Sequence, residues 1–438
     1  METAEFRRIL HNGLGRALLY LRDHDAAPHR EAILHARLHN TVFDRQVNGS
    51  NAEYIFEAIG LTGEATLYRD RLLEALRQPA DEHHLRQICD LLRCFAQQGD
   101  RIARQALYDA FDQDEAIYET MFAIVELDGL SGFLHVADGV GASAEEDEEF
   151  WEGAYFLNQL DEKYGKEIAR KSVAAAAMEN PRIAAYLAAI EKEETKGASP
   201  KRTRFDPKTM GHDELRAMAA NKASWSPARL RNWGKRASEN DISRLAEDIV
   251  AETDPVKLHA YLCVFAERPF PNGPTPLFKF VDSSDGRVVH AAISALGTFR
   301  HPEVRGLALT LLNTHRAWAA LDLLVSNYEE DDHLLVERAL AQPAEQDEDE
   351  QHWFEMGVLV LFEQYPSVAA TPSLRFIYER GRCFMCRYGT VELLHRLGTL
   401  PETIRRECEF DADFDLRAAA RRHFRAEDAT KEDATKDA

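Results

Sequence analysis

Residues 275–312, TPLFKFVDSSDGRVVHAAISALGTFRHPEVRGLALTLL, decide the reading of this chain. Leu277, Phe280 and Val281 form an apolar stripe at helical spacing. Asp282-Ser283-Ser284-Asp285-Gly286 interrupts it with residues that cap helices and close turns. Val288, Ala292, Leu296 and Phe299 then recur at intervals of four, four and three, which is one face of a second helix. His301-Pro302 opens a third, because proline fits the first helical turn, where its missing N–H is not needed. Ala291, Ala292 and Ala295 are small enough for two helices to approach closely. A helix–turn–helix unit of this size cannot bury its apolar face alone and is expected to stack on copies of itself. The expected fold is all-α, an α-α superhelix of stacked antiparallel helix pairs.

The same pattern extends in both directions. Residues 3–24 read as one helix, with Phe6, Ile9, Leu10, Leu14, Leu18 and Leu19 along a stripe, and residues 28–40 as a second. After a turn-rich break at 43–50, helices follow at about 51–60, 64–78, 83–97, 100–111, 113–126 and 130–138, with Gly63 and Gly99-Asp100 as punctuation. The segment 141–178 opens on an acidic helix start, which suits the macrodipole, and Pro181 begins another helix running to about Glu194. No alternating strand pattern of useful length occurs. Proline, glycine and dense charge then place a boundary at 195–212. Beyond it, Asp254-Pro255 separates the two helices of 241–276, and helical pairs recur at 274–299, 302–327, 330–364, 372–397 and 401–424. Their spacing is roughly 32 residues, shorter than the ~40–47 of ordinary HEAT and armadillo units. The resulting division is 1–195, a helical-repeat region; 196–240, a basic linker or docking segment; 241–424, the C-terminal repeats; and 425–438, an acidic tail with no apolar content, expected to be disordered.

The stretch from Asp285 resembles a HEAT-like repeat, whose second helix often begins D-x-x-V-R-x-A-A-x-x-A-L-G. Asp285, Val288, Ala291, Ala292, Ala295, Leu296 and Gly297 agree with it, while Val289 stands where arginine is usual. DFDLRAAA (Asp413 to Ala420) is a second match. The whole chain is similar to a group of bacterial HEAT-repeat proteins. The carriers are FDRQVNGSNAEYIFE (43–57), TDPVKLHAYLCVFAERPFP (253–271) and CFMCRYGTVELLHRLGTLPETIRRECEFDADFDLR (383–417). The resemblance implies an architecture, and no activity follows from it.

Composition narrows the function classes. No run of 18 apolar residues exists to span a membrane. The N-terminus is charged and amphipathic and has no secretory signal. Six cysteines in 438 residues are too sparse for a disulfide framework, so a cytoplasmic protein with reduced thiols is expected. With 53 Lys and Arg against 75 Asp and Glu, the net charge of −22 repels polyanions, which makes nucleic acid an unsuitable partner. Lys196 to Arg236 is a local reversal, carrying 11 basic and 3 acidic residues.

The tightest chemical constellation is Cys383-x-x-Cys386 with His395 and Cys408, a donor set suited to tetrahedral zinc. A helix starting near Cys386 carries His395 about 13 Å away, too far to share a metal. The pattern therefore favours cysteines packed in a core, with no cofactor. His35 and His39 share a helical face, and His83-His84 reads as surface. Nucleotide-binding, nucleophile-elbow and metalloprotease motifs are absent from the sequence. Trp225, Arg229, Arg231 and Trp233 in the basic tract are the candidate partner contacts. The expected function is a non-catalytic scaffold holding a basic protein partner, including a cationic toxin in the manner of an immunity protein. The alternative is an enzyme on the same scaffold: some HEAT-like solenoids resemble alkyl-base DNA glycosylases, which need a basic face, and other short-repeat proteins resemble bilin lyases.

Overall fold

The computed structural model describes residues 1–78, 82–113, 117–141, 154–196, 210–314, 316–342 and 348–424, and every regular element among them is helical. The chain divides into two units, residues 1–202 with 401–438, and residues 203–400.

In the first unit α1 is Thr3–His11, α2 Arg16–Asp23, α3 Arg30–Leu38, α4 the single turn Arg45–Asn48, and α5 Ala52–Leu61. Next come α6 (Ala65–Leu76), α7 (Glu82–Gln97), α8 (Arg101–Asp112), α9 (Ile117–Asp128) and α10 (Leu130–Gly141). The series ends with α11 (Tyr155–Tyr164), α12 (Lys166–Glu179) and α13 (Pro181–Lys196). Helix α7 touches α3, α5, α6, α8 and α9, which is why Ile88, Cys89, Leu91 and Leu92 are buried on one side of it. Its other side carries an ion cluster. Asp90 accepts from Ser50 Oγ at 2.6 Å and from Arg86 Nε at 2.9 Å, and Arg93 pairs with Glu53 and Glu126.

In the second unit α14 is His212–Ala219, α15 Pro227–Gly234, α16 Glu239–Ala251 and α17 Pro255–Cys263. They are followed by α18 (Gly286–Leu296), α19 (Pro302–Leu311), α20 (Ala317–Leu324) and α21 (Asp332–Leu340). Helices α22 (Glu348–Gln364), α23 (Thr371–Arg380) and α24 (Phe384–Arg396) complete it. Helices α17, α18, α20, α22 and α24 touch in that order, and α16, α19 and α23 each pack against a member of the row, with α21 against α23. The helix starts are those the sequence marks. Asp254 caps α17 by accepting from Val256 N at 2.9 Å, and Asp285 caps α18 from Arg287 N at 2.9 Å. His301 Nδ1 faces Glu303 N at 3.3 Å ahead of Pro302.

Helices α25 (Glu402–Cys408) and α26 (Phe414–Ala419) belong to the first unit, although the sequence pattern runs them on from the C-terminal repeats. Two further differences have local causes. Residues 3–24 form two helices, because Gly13 takes φ 74° and turns the chain between α1 and α2. The stripe at Leu277 and Phe280 lies on a 3-10 segment, Thr275–Phe280, a six-residue piece ahead of the turn at Asp282-Ser283, and such short pieces are where the 3-10 form is used. Residues 197–209 of the basic tract, residues 343–347 and those from 425 onward lie outside the described residues.

Candidate functional site

Each helix of the row α17, α18, α20, α22 and α24 carries an aromatic or imidazole side chain: His259, His290, Trp318, Trp353 and Tyr388 in turn. Three of them are in contact. His290 stacks on Trp318 with centroids 4.1 Å apart, and Trp353 stands edge-on to His290 at 5.6 Å and to Trp318 at 5.8 Å. Trp225 meets His259 edge-to-face at 5.2 Å. The His259 imidazole is held below its ordinary pKa by burial and then by the Arg287 charge; desolvation and the Arg316 charge do the same to His290. Both rings are therefore neutral at pH 7 and act as flat, partly apolar surfaces.

Trp353 is 46% exposed, Met356 44% and Val360 50%. These spacings of three and four put them on one side of α22, while Phe354, Val358, Leu361 and Phe362 bury the other. Exposed Asp349 and Glu363 bound the stripe at its ends. The exposed tryptophan is thus continued by methionine and valine as an apolar stripe along α22. Sequence spacing alone could not separate this face from the core side of the same helix.

The candidates in the basic tract have different fates. Trp233 is fully buried, its indole donating to Met210 O at 2.7 Å, so it is a core residue rather than a groove contact. Trp225 is largely covered, at the edge of the row described above. Arg229 and Arg231 are exposed, and Arg231 lies 3.8 Å from Glu267, which Lys235 also pairs. The described part of the tract is thus partly neutralised by its own acidic neighbours.

The cysteines also separate. Cys408 is buried in α25 of the first unit, away from the C-x-x-C pair in sequence and in fold unit. Cys383 is the N-cap residue of α24 and Cys386 lies in its first turn, both 4% exposed. The imidazole that joins them is His352 of α22, not His395: one ligand atom from each of His352, Cys383 and Cys386 falls within 4.8 Å of the others. Glu355, one turn along α22, is 3% exposed and accepts from Gln351 Nε2 at 3.1 Å. A β-carbon added to Gly381 would lie 2.8 Å from Glu355 Oε2, so the bare glycine leaves room for the carboxylate. Donation from the Cys386 thiol, with His352 beside it, holds the Cys383 thiol below its ordinary range; the same contact raises Cys386. Burial lifts Glu355 to about 7. In the first unit His39 Nδ1 lies 3.2 Å from His84 Nε2 and His35 packs on His39 at 4.2 Å, so His84 is engaged where surface was expected.

No family model matches the chain, and no curated protein matches it. Among solved structures, the crystal structure of an engineered protein from a structural genomics consortium aligns at 13% identity over 94% of this chain and 98% of that one, with a TM-score of 0.20. A superposition of that quality carries no argument about fold or function.

Proposed function

We propose that this chain is a non-catalytic scaffold whose helix pairs stack as a HEAT-like α-α superhelix and hold a basic, amphipathic segment of a partner protein. The observation that carries this reading is the exposed stripe Trp353, Met356 and Val360 beside Trp318 and His290. Tryptophan and methionine are the residue types that anchor protein contacts, because they bury large flexible or flat surfaces with few charges to desolvate. Asp349 and Glu363 at the ends of the stripe, in a chain of net charge −22, set the sign of the partner by complementarity. Such a partner is steered in by long-range attraction and retained by the aromatic anchors, so salt affects its capture more than its release. Six free cysteines suit a reducing compartment.

A helical Lys/Leu peptide without tryptophan tests the reading directly. Titrated into the full-length protein at low salt, it is expected to shift tryptophan emission to the blue, with a Kd that weakens as salt rises. Trp353→Ala together with Met356→Ser is expected to abolish the shift while far-UV circular dichroism stays unchanged. Absence of binding at low salt, or binding indifferent to both substitutions, contradicts it.

A further inference from the structure

We propose that His352, Cys383 and Cys386 form a structural zinc site that clips the N-terminal part of α22 to the start of α24. Two thiolates and one imidazole are the donors zinc selects, and a C-x-x-C pair at a helix start presents both sulfurs on one side of a turn. The atoms already stand within 4.8 Å of one another, and a tetrahedral ion with bonds of about 2.0–2.3 Å sets its ligands about 3.3–3.8 Å apart, so the three close on it by little more than about 1 Å at most. Both cysteines are buried, so a metal here is shielded from solvent and substrate, as in a structural site.

Glu355 supplies the second observation. It is a buried carboxylate on the same side of α22 as His352, one turn further on, in space that only the bare Gly381 leaves open. Burying a carboxylate is costly unless a cation or a donor set offsets it. The Glu355 oxygens are not among the atoms that lie within 4.8 Å of one another, so beside a dication it acts as a supporting group, holding the water that takes the fourth position. The Arg382–Glu348 ion pair and the bond from Thr390 Oγ1 to Cys386 O at 2.7 Å hold the C-x-x-C turn from either end. Binding forms two Zn–S bonds and one Zn–N bond, and whatever protons the thiols and the imidazole still hold leave to solvent.

The test uses the reduced, chelator-treated full-length chain and Co²⁺ or Zn²⁺ alone. One equivalent of Co²⁺ is expected to give thiolate-to-cobalt charge-transfer bands and the intense visible bands of tetrahedral cobalt. Zn²⁺ is expected to displace it and to raise the thermal midpoint. Cys383→Ser and Cys386→Ser are expected to lose the spectrum and Cys408→Ser to keep it. Glu355→Gln is expected to weaken affinity by about 10–100-fold, as loss of a supporting group does. Should the serine variants fail to fold, the native chain still decides: bound Zn²⁺ must slow alkylation of Cys383 and Cys386 and leave Cys408 unaffected. A reduced chain that binds no stoichiometric metal, a spectrum that survives both serine substitutions, or equal alkylation with and without Zn²⁺ overturns the site. A failed peptide titration leaves this result untouched, since the metal site does not rest on the partner-binding reading.

Discussion

Arg16 holds Glu407 with two hydrogen bonds, Nε to Oε1 at 2.8 Å and Nη2 to Oε2 at 3.1 Å, joining residues 391 positions apart. Around this fork, Ala412 N donates to Gly13 O at 2.8 Å, Arg417 Nη1 to Glu57 Oε1 at 2.5 Å, and the Arg22 guanidinium lies 4.0 Å over the Phe410 ring. A β-carbon at Gly15 would stand 2.0 Å from Glu407 O, so the backbones meet without space for a side chain. Helices α25 and α26 are thereby a structural part of the first unit.

Removing that contact should unfold the first unit at lower denaturant. Arg16→Ala strips its guanidinium from a carboxylate that is only 7% exposed, with an expected cost of about 1–3 kcal/mol. Gly15→Ala adds a methyl where none fits and should cost about 1–3 kcal/mol. Chemical denaturation, read as a fall in midpoint, checks both. Midpoints unchanged in both variants would mean that α25 is not tied to α2.

Asp285 gives a pH prediction. The Arg287 side chain, and then the Arg287 backbone N–H, hold its carboxyl down to about 2 from an ordinary 3.8. A depressed carboxylate stabilises the folded state fully above 3.8, and that contribution is lost as pH falls from 3.8 toward 2. Asp285→Ala should cost about 0.5–2 kcal/mol at pH 7, the usual worth of a helix cap. The difference between variant and wild type should shrink as pH approaches 2, which thermal midpoints across that range will register. A constant difference would contradict the capping role.

His29 behaves in the opposite chemical sense. It is buried, stacks on Phe6 at 4.2 Å and has neither ring nitrogen hydrogen-bonded. Burial, and then the N-terminal ammonium, lower its pKa below 6.5. The unfolded chain therefore takes up a proton that the folded one resists, so stability declines as pH drops below 6.5. His29→Phe should flatten the decline between pH 7 and 5 in urea unfolding. An unchanged slope would assign it to other groups.

Much of the fold is legible in the sequence, and the failures have physical reasons. Asp254-Pro255, Asp285 and His301-Pro302 announce helix starts because capping is local chemistry. The break at Gly13 was hidden by a stripe that keeps helical period across it, and the 3-10 form of Thr275–Phe280 by apolar spacing both helix types share. The site was legible in half. Cys383 and Cys386 are three positions apart in sequence, but His352 approaches from another helix, 31 positions before Cys383, and only tertiary packing brings it in. Nothing in the sequence pattern singled out Trp353, whose exposure and contact with Trp318 only the packing of α20 against α22 reveals. Trp233 was misplaced because an indole in a basic stretch looks the same whether it faces a partner or the core.

The proposed contact face is tested most directly by a photo-crosslinking amino acid at position 356, with Met178, 83% exposed on α12, as the control position. Irradiation in cells is expected to give an adduct at 356 that is absent at 178, mapped by mass spectrometry to a basic, amphipathic segment and lost on Trp353→Ala. No adduct at 356, the same adducts at both positions, or attachment to an acidic segment would contradict the account.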